Sequence, residues 1–266
     1  MARTKDNGVP VVFRFHGCLV ELLDRSRRQG EYSASVSLRS SVKDAVESQG
    51  VPHVEVGMVA VNGVPCGWDR LLERNEQVDV WEIADLSTMP EGWRVDEADP
   101  DPPRFLLDVH LGRLAAYLRL LGYDTVYDAA DPGDESLAQR AHAEGRILLT
   151  CDRGLLMRNP IRHGRLLRSR NSVEQTREII QRYRLQEGAA PFTRCLRCNG
   201  LLVEAAIAKI RDRIPERVFR RHGLDPSRYR ICDQCGRLYW EGSHTQRMRK
   251  LLADWGIADQ ERGDIT

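Results

Sequence analysis

The chain has 266 residues, of which 41% are hydrophobic and 30% charged, enough apolar material for a core and length for about two domains, so disorder throughout is excluded. The net charge of +1 conceals an asymmetry: residues 1–103 hold 11 Lys and Arg against 18 Asp and Glu, whereas residues 153–250 hold 23 against 9. An acidic part followed by a basic part points to separate domains and a polyanionic partner for the second. No apolar run approaches the roughly 20 residues of a membrane span, and no apolar stretch of a signal peptide precedes Val9. The expectation is a soluble, cytoplasmic protein with no membrane partner.

Residues 9–83 read as a small α+β unit in the order ββαββ. Val9–Phe15 is a strand, and Ser33–Leu38 alternates with period two as a second. Residues 41–48 form a short helix capped by Ser40 or Ser41 and stopped by Gly50. Val56–Val61 is a strand, Asn62-Gly63 a hairpin turn, and Gln77–Ile83 the closing strand. This order, with Val59-Ala60-Val61-Asn62-Gly63 and a Glu-bearing last strand, resembles the β-grasp, ubiquitin-like family that includes the sulfur carriers of molybdopterin and thiamine synthesis. Those carriers end in Gly-Gly. Here the chain runs on through Ala84-Asp85-Leu86-Ser87, so sulfur transfer is not expected, and the unit is read as a docking surface for a protein partner or as a structural element.

Proline and acidic residues cluster over 86–103 and mark a linker. From 104 the rhythm becomes β-α-β-α. Arg104–Leu107 is a short buried strand, and Leu111, Leu114, Ala115, Leu118 and Leu121 define an amphipathic helix over 110–121. Tyr123–Tyr127 is a strand, residues 134–144 a helix stopped by Gly145, Arg146–Thr150 a third strand and Arg165–Arg168 a fourth. Ser172-Val173-Glu174-Gln175 reads as a capping box opening a helix to about 184. Alternation of short apolar strands with helices predicts a parallel sheet covered on both faces. The last 70 residues carry two Cys pairs and a terminal helix over about 243–255.

Cys195, Cys198, Cys232 and Cys235 form two CxxC pairs. Four soft ligands in two knuckles suit a structural zinc ion, with no coordination position left for catalysis. The 33 residues between the pairs leave room for an inserted helix near Pro215–Arg221. Cys18, Cys66 and Cys151 read as small apolar residues, and six of the seven His as structural or surface residues.

Asp108 follows the first strand of the α/β part, Asp134 opens a helix, and Asp152 follows the third strand. Ligands of open parallel sheets bind outside the carboxyl ends of the strands, so three carboxylates there can converge on a cation. Hard oxygen donors suit Mg²⁺ or Mn²⁺, which activate water for in-line attack at phosphorus. Each acid also stands where a helix starts, and Asp is a preferred N-cap. Both readings stay open, and Glu135 is a weaker fourth candidate. Arg113, Arg119 and Arg153, near the acids in sequence, can hold a phosphate or pair with those acids. Arg158, Arg162, Arg165, Arg168 and Arg170 form a basic stretch that can follow a nucleic-acid backbone or line a solvated face. Tyr239 and Trp240 offer stacking on a base or packing against the zinc site, and His244 a bond to RNA or a cap for the last helix. No GxGxxG, phosphate-binding Walker loop or nucleophile elbow occurs.

Phe105-Leu106-Leu107-Asp108, Leu111-Gly112-Arg113-Leu114-Ala115, Leu118–Thr125, Asp134-Glu135-Ser136-Leu137, Arg146–Arg153 and Tyr239–His244 together resemble the Mut-seven C-terminal RNase family over about residues 104–250. The resemblance extends to the N-terminal β-grasp unit that members of that family carry. It implies a PIN-like fold with an appended zinc ribbon, and metal-dependent RNase chemistry with Asp108, Asp134 and Asp152 as Mg²⁺ or Mn²⁺ ligands. Cys151 and Glu241 stand where the family has Arg and Lys, each deleting a positive charge that would favour RNA. The expected organisation is a β-grasp domain over 1–85, a linker over 86–103, a PIN-like domain over 104–188, and a zinc ribbon with terminal helix over 189–266. The expected function is a metal-dependent ribonuclease acting on RNA, with tRNA or the ribosome in view as partners. The alternative is a non-catalytic RNA- or ribosome-binding protein that uses the basic half.

Overall fold

The computed structural model of the chain describes residues 8–82, 93–95 and 98–258. The run from Ala84 to Ser87 and most of the Pro-rich start of the linker lie outside the described residues.

Strand β1 (Val9–Phe15) buries every second residue, Val9, Val11, Phe13 and Phe15, as its alternation predicts. It pairs antiparallel with β2 (Tyr32–Val36) and parallel with β5 (Gln77–Glu82). Helix α1 (Val42–Ser48) starts at Ser41, whose Oγ accepts the Asp44 amide. Strand β3 (Val56–Val61) turns back through Asn62 and Gly63, both at positive φ (52° and 79°), into the two-residue β4 (Val64–Pro65). That backbone is what an Asn-Gly hairpin supplies. The sheet order β2-β1-β5-β3-β4 is the ubiquitin-like arrangement. Two 3₁₀ turns, Gly17–Leu22 and Arg25–Arg27, fill the connection from β1 to β2; no periodic apolar pattern announces them.

The next strands are β6 (Phe105–Leu107) and, after helix α2 (Gly112–Leu120), β7 (Thr125–Tyr127). Helix α3 (Asp134–Glu144) ends on Gly145 in the left-handed conformation and leads to β8 (Ile147–Thr150), all of it buried. The short α4 (Arg153–Leu156) and β9 (Gly164–Leu166) follow, and then α5 (Ser172–Arg182). The pairs β6/β7 and β8/β9 are both parallel, as the β-α-β rhythm requires. The cap of α5 differs from expectation. Asn171, not Ser172, caps it, its Oδ1 accepting the Val173 and Glu174 amides, while Ser172 is the first helical residue. The ribbon comprises β10 (Leu202–Glu204), α6 (Ile207–Ile210), α7 (Glu216–His222), β11 (Tyr229–Cys232) and β12 (Leu238–Trp240), and the terminal helix is α8 (Ser243–Asp254). Among the described residues, no helix is long and apolar enough to cross a membrane.

The chain forms two compact units, each discontinuous in sequence. One is Met1–Pro100 with Pro132–Leu166, and the other is Asp101–Asp131 with Leu167–Thr266.

In the first unit the ubiquitin-like sheet is fastened to the segment bearing α3, β8, α4 and β9. Glu55 is only 3% exposed; its carboxylate pairs with Arg165 and accepts the Leu166 amide at 2.6 Å. His53, equally buried, donates from Nε2 to the Ile161 carbonyl at 2.8 Å while Nδ1 meets the Glu47 carboxylate at 2.6 Å. Lys43 donates to Asn159 Oδ1. Gly164 allows the close approach, because a Cβ there would come within 2.7 Å of Leu156 Cδ2 and 3.3 Å of Val54 Cγ2. One face of the ubiquitin-like fold is thus occupied by this chain's own residues.

The second unit is built on α2, whose Leu114, Ala115, Leu118 and Leu120 are buried. Phe105 meets Tyr183 edge-on at 5.6 Å, Tyr117 meets Trp255 at 5.2 Å, and the Tyr123 hydroxyl donates to the Leu185 carbonyl.

Candidate metal centre and acidic residues

The four cysteines converge through two copies of one turn. Asn199, at φ 74°, returns its amide to the Cys195 carbonyl, and Gly236, at φ 67°, returns its amide to the Cys232 carbonyl. Each residue stands four positions after the first Cys of its pair, where left-handed backbone favours Asn or Gly. Gly200 leaves room for the other knuckle, since a Cβ there would lie 2.9 Å from Cys232 Sγ. Cys195 Sγ is 3.7 Å from Cys235 Sγ, Cys198 Sγ is 3.4 Å from Cys232 Sγ, and all four sulfurs lie within 4.8 Å of one another. A tetrahedron with Zn–S bonds of ~2.3 Å has edges of roughly 3.8 Å, so the donor set fits a zinc ion.

Their electrostatics agree. Burial pushes Cys232 up to about 12 and also raises Cys198. At Cys195 burial acts in the same direction, but hydrogen bonds from the Tyr239 hydroxyl and from the Cys198 and Arg197 backbone outweigh it and bring the thiol down to about 6. Crowded thiols cannot all ionise alone, and a divalent cation removes that conflict.

Arg119 is placed otherwise than expected. It is 3% exposed and points inward, donating from Nε to the Thr125 carbonyl and from Nη1 to the Leu196 and Arg197 carbonyls of the first knuckle. Asn199 completes this seam, its Oδ1 accepting the Thr125 amide and its Nδ2 donating to Asp124. Arg119 therefore holds the knuckle to the start of β7 and is unavailable to RNA. Arg119→Met keeps the stem and strands three carbonyls, so it is expected to destabilise the protein by about 2–3 kcal/mol in urea unfolding. RNA affinity of the folded variant should be unchanged; a selective loss of affinity at full stability would restore the RNA-contact reading.

The acids are placed as follows. Asp108 follows β6 and is buried, and its Oδ1 accepts the His110 amide. Asp152 stands two residues past β8, is exposed, and its Oδ1 accepts the Gly154 and Leu155 amides at 2.7 and 3.4 Å. Both are helix caps. Asp134 is not: Gly133 is the N-cap of α3 and Asp134 its first residue, 3.5 Å from Arg158. Glu135 pairs with the same Arg158 at 2.8 Å and accepts from Gln139.

The basic stretch is correspondingly less free than its composition suggests, because Arg158 serves those two acids and Arg165 serves Glu55. Arg113 is exposed on α2. Arg153 opens α4, and a Cβ on Gly50 would lie 2.9 Å from its guanidinium.

Tyr239 is tied to the four-cysteine cluster, with its hydroxyl 3.1 Å from Cys195 Sγ and accepting the Leu196 amide. Glu241 pairs with Arg228 and Arg249 at 2.7 and 2.9 Å, so this acid is used within the ribbon. His244 forms no cap: α8 starts at Gly242 without a side-chain bond. Sequence reasoning did not group Arg197, Arg217 and Arg237, which the fold brings to one cleft with Tyr239, Trp240 and His244. The Arg inside one knuckle and the Arg just after the other were the available signal.

Residues 103–252 match the model of the Mut7-C RNAse domain, and residues 8–85 that of the Mut7-C ubiquitin domain. No curated protein and no solved structure matches the chain. With a ubiquitin-like sheet, parallel α/β strands and a four-cysteine ribbon in that order, the chain belongs to the Mut7-C RNAse domain family.

Proposed function

We propose that the protein is a cytoplasmic, metal-dependent ribonuclease with a structural zinc ribbon. The observation that carries this reading is the match of residues 103–252 to an RNase domain. Asp108 and Asp152, each just past the carboxyl end of a parallel strand, support it, because ligands of such sheets bind beyond those ends.

Asp108, Asp134 and Asp152, with Glu135 as a further donor, would hold Mg²⁺ or Mn²⁺, since hard carboxylate oxygens suit these ions. Such a cation supplies Lewis acidity toward a phosphodiester and a water. Arg113 and Arg153 orient the scissile phosphate, and the basic residues between 153 and 250 that are not paired internally hold the RNA backbone. Arg158, paired with Asp134 and Glu135, would hold their carboxylates in position.

The test separates capping from catalysis. Asn caps a helix about as well as Asp, so Asp108→Asn and Asp152→Asn should shift stability by less than about 1 kcal/mol. RNA cleavage in Mn²⁺ or Mg²⁺ should nonetheless fall at least ~100-fold, a loss of about 2.7 kcal/mol in transition-state stabilisation. Single-stranded RNA, tRNA and ribosomal RNA are offered side by side, with EDTA as the blank. RNA that is retained but left intact in every metal would identify a non-catalytic RNA-binding protein, with Asp108 and Asp152 serving only as caps.

A further inference from the structure

The zinc ribbon carries a cleft of about 500 Å³, remote in sequence from the proposed catalytic acids. Arg197, Arg217, Arg237 and His244 line it with Tyr239 and Trp240, and none of its lining residues is acidic. All three Arg are exposed, and among the described residues none of them forms an ion pair. The contrast lies close by, where Arg228 and Arg249 both pair with Glu241. Three guanidinium groups around one concavity repel one another and focus a positive potential into it, which favours an anion of matching shape.

The floor is rigid. Trp240 packs against the ribbon core of Ala205, Ile210, Ile214, Val218 and Tyr229, and Tyr239 is bonded to Cys195 and Leu196. An aromatic ring beside guanidinium groups suits a base and its phosphate rather than phosphate alone. The volume lies within the ~300–1,000 Å³ range of small-ligand sites. A base reaches such a floor only when unpaired.

We propose that this cleft binds one unpaired nucleotide of a single-stranded RNA, with the base on the aromatic floor and the phosphate on Arg197, Arg217 and Arg237. The inference rests on the ribonuclease reading for the source of that nucleotide, and gives the enzyme a substrate-holding site separate from its acids.

The test is fluorescence anisotropy of a short labelled oligoadenylate with the zinc-loaded full chain, without added Mg²⁺ or Mn²⁺. Arg217→Ala/Arg237→Ala should weaken binding at least ~10-fold and lower the slope of log affinity against log salt by up to about 0.7, one single-strand phosphate contact. Arg217→Lys/Arg237→Lys should recover part of the affinity. Arg140→Ala/Arg220→Ala removes the same charge from exposed positions that are paired internally with Glu144 and Glu216 and should change affinity less than ~2-fold. AMP should compete with the RNA and ribose 5-phosphate should compete poorly; AMP matching RNA itself would make the ligand a free nucleotide and overturn the strand reading.

The proposal is also overturned if the control pair costs as much as the cleft pair, if ribose 5-phosphate matches AMP, or if polyglutamate competes as well as RNA. Zinc content and circular dichroism establish that each variant is folded, and Arg217→Ala alone, on the outside of α7, provides a milder arm. Cleavage without cleft-dependent binding rejects the cleft and keeps the nuclease. Cleft-dependent binding without cleavage in any metal does the reverse.

Discussion

The purified chain is expected to carry one zinc ion, and removing it should unfold the ribbon. The fully buried core under the ribbon sheet is small, with Ala205, Ile210, Ile214, Val218 and Tyr229 at its centre. So little apolar burial does not hold a module of this kind together without a metal or cross-link. Structural zinc supplies roughly 10–16 kcal/mol to small folds of this type. A strong chelator should therefore abolish the β10–β12 sheet and release Arg119 from the Leu196 and Arg197 carbonyls.

Cys198→Ser should lower the zinc content well below one per chain and bring the unfolding midpoint down with it. Metal analysis, circular dichroism and urea unfolding read the effect. Affinity for zinc should fall with decreasing pH, because Cys198 and Cys232, whose thiols burial pushes upward, must lose protons to bind. A metal-free preparation with an unchanged unfolding transition would sink this account and leave the four thiols as ordinary core residues.

The second large effect is expected at Glu55. Its carboxylate is buried, paired with Arg165 and bonded to the Leu166 amide. Glu55→Ala leaves a partly buried guanidinium without its counter-charge and strands an amide. Breaking a buried pair from one side costs about 3–5 kcal/mol. Glu55→Gln keeps an acceptor for Leu166 and should cost less. In the double variant Glu55→Gln/Arg165→Met the unpaired charge is gone, so part of the loss should return, and a double-mutant cycle in urea reads the coupling. Single-variant losses below about 1 kcal/mol, or strictly additive ones, would show that Glu55 does not fasten the ubiquitin-like sheet to the segment around β9.

Much of this protein is legible in its sequence, because the signals act over a few residues. Alternating Val9, Val11, Phe13 and Phe15 can bury one face only as a strand, and Asn62-Gly63 supplies the positive φ of a tight hairpin. Two CxxC pairs, each followed by a residue that accepts left-handed backbone, specify two metal knuckles whatever lies between them. The cap on α5 shows how fine the limit is: Asn171 and Ser172 are both good caps, and only the observed backbone assigns the role to Asn171.

Tertiary structure alone decided where the charges went. Arg119, Arg158 and Arg165 are the same residue type in similarly basic surroundings. One is buried under the first knuckle, one bridges Asp134 and Glu135, and one meets a carboxylate 110 positions away. A guanidinium on a long flexible stem goes wherever acceptors and burial favour it, and those acceptors are set by chain crossings that leave no periodic trace in the sequence. The same crossings gathered Arg197, Arg217 and Arg237 around one cleft free of acidic side chains. Local composition determined that this part of the chain is basic; the fold determined which of its charges remain available to an anion.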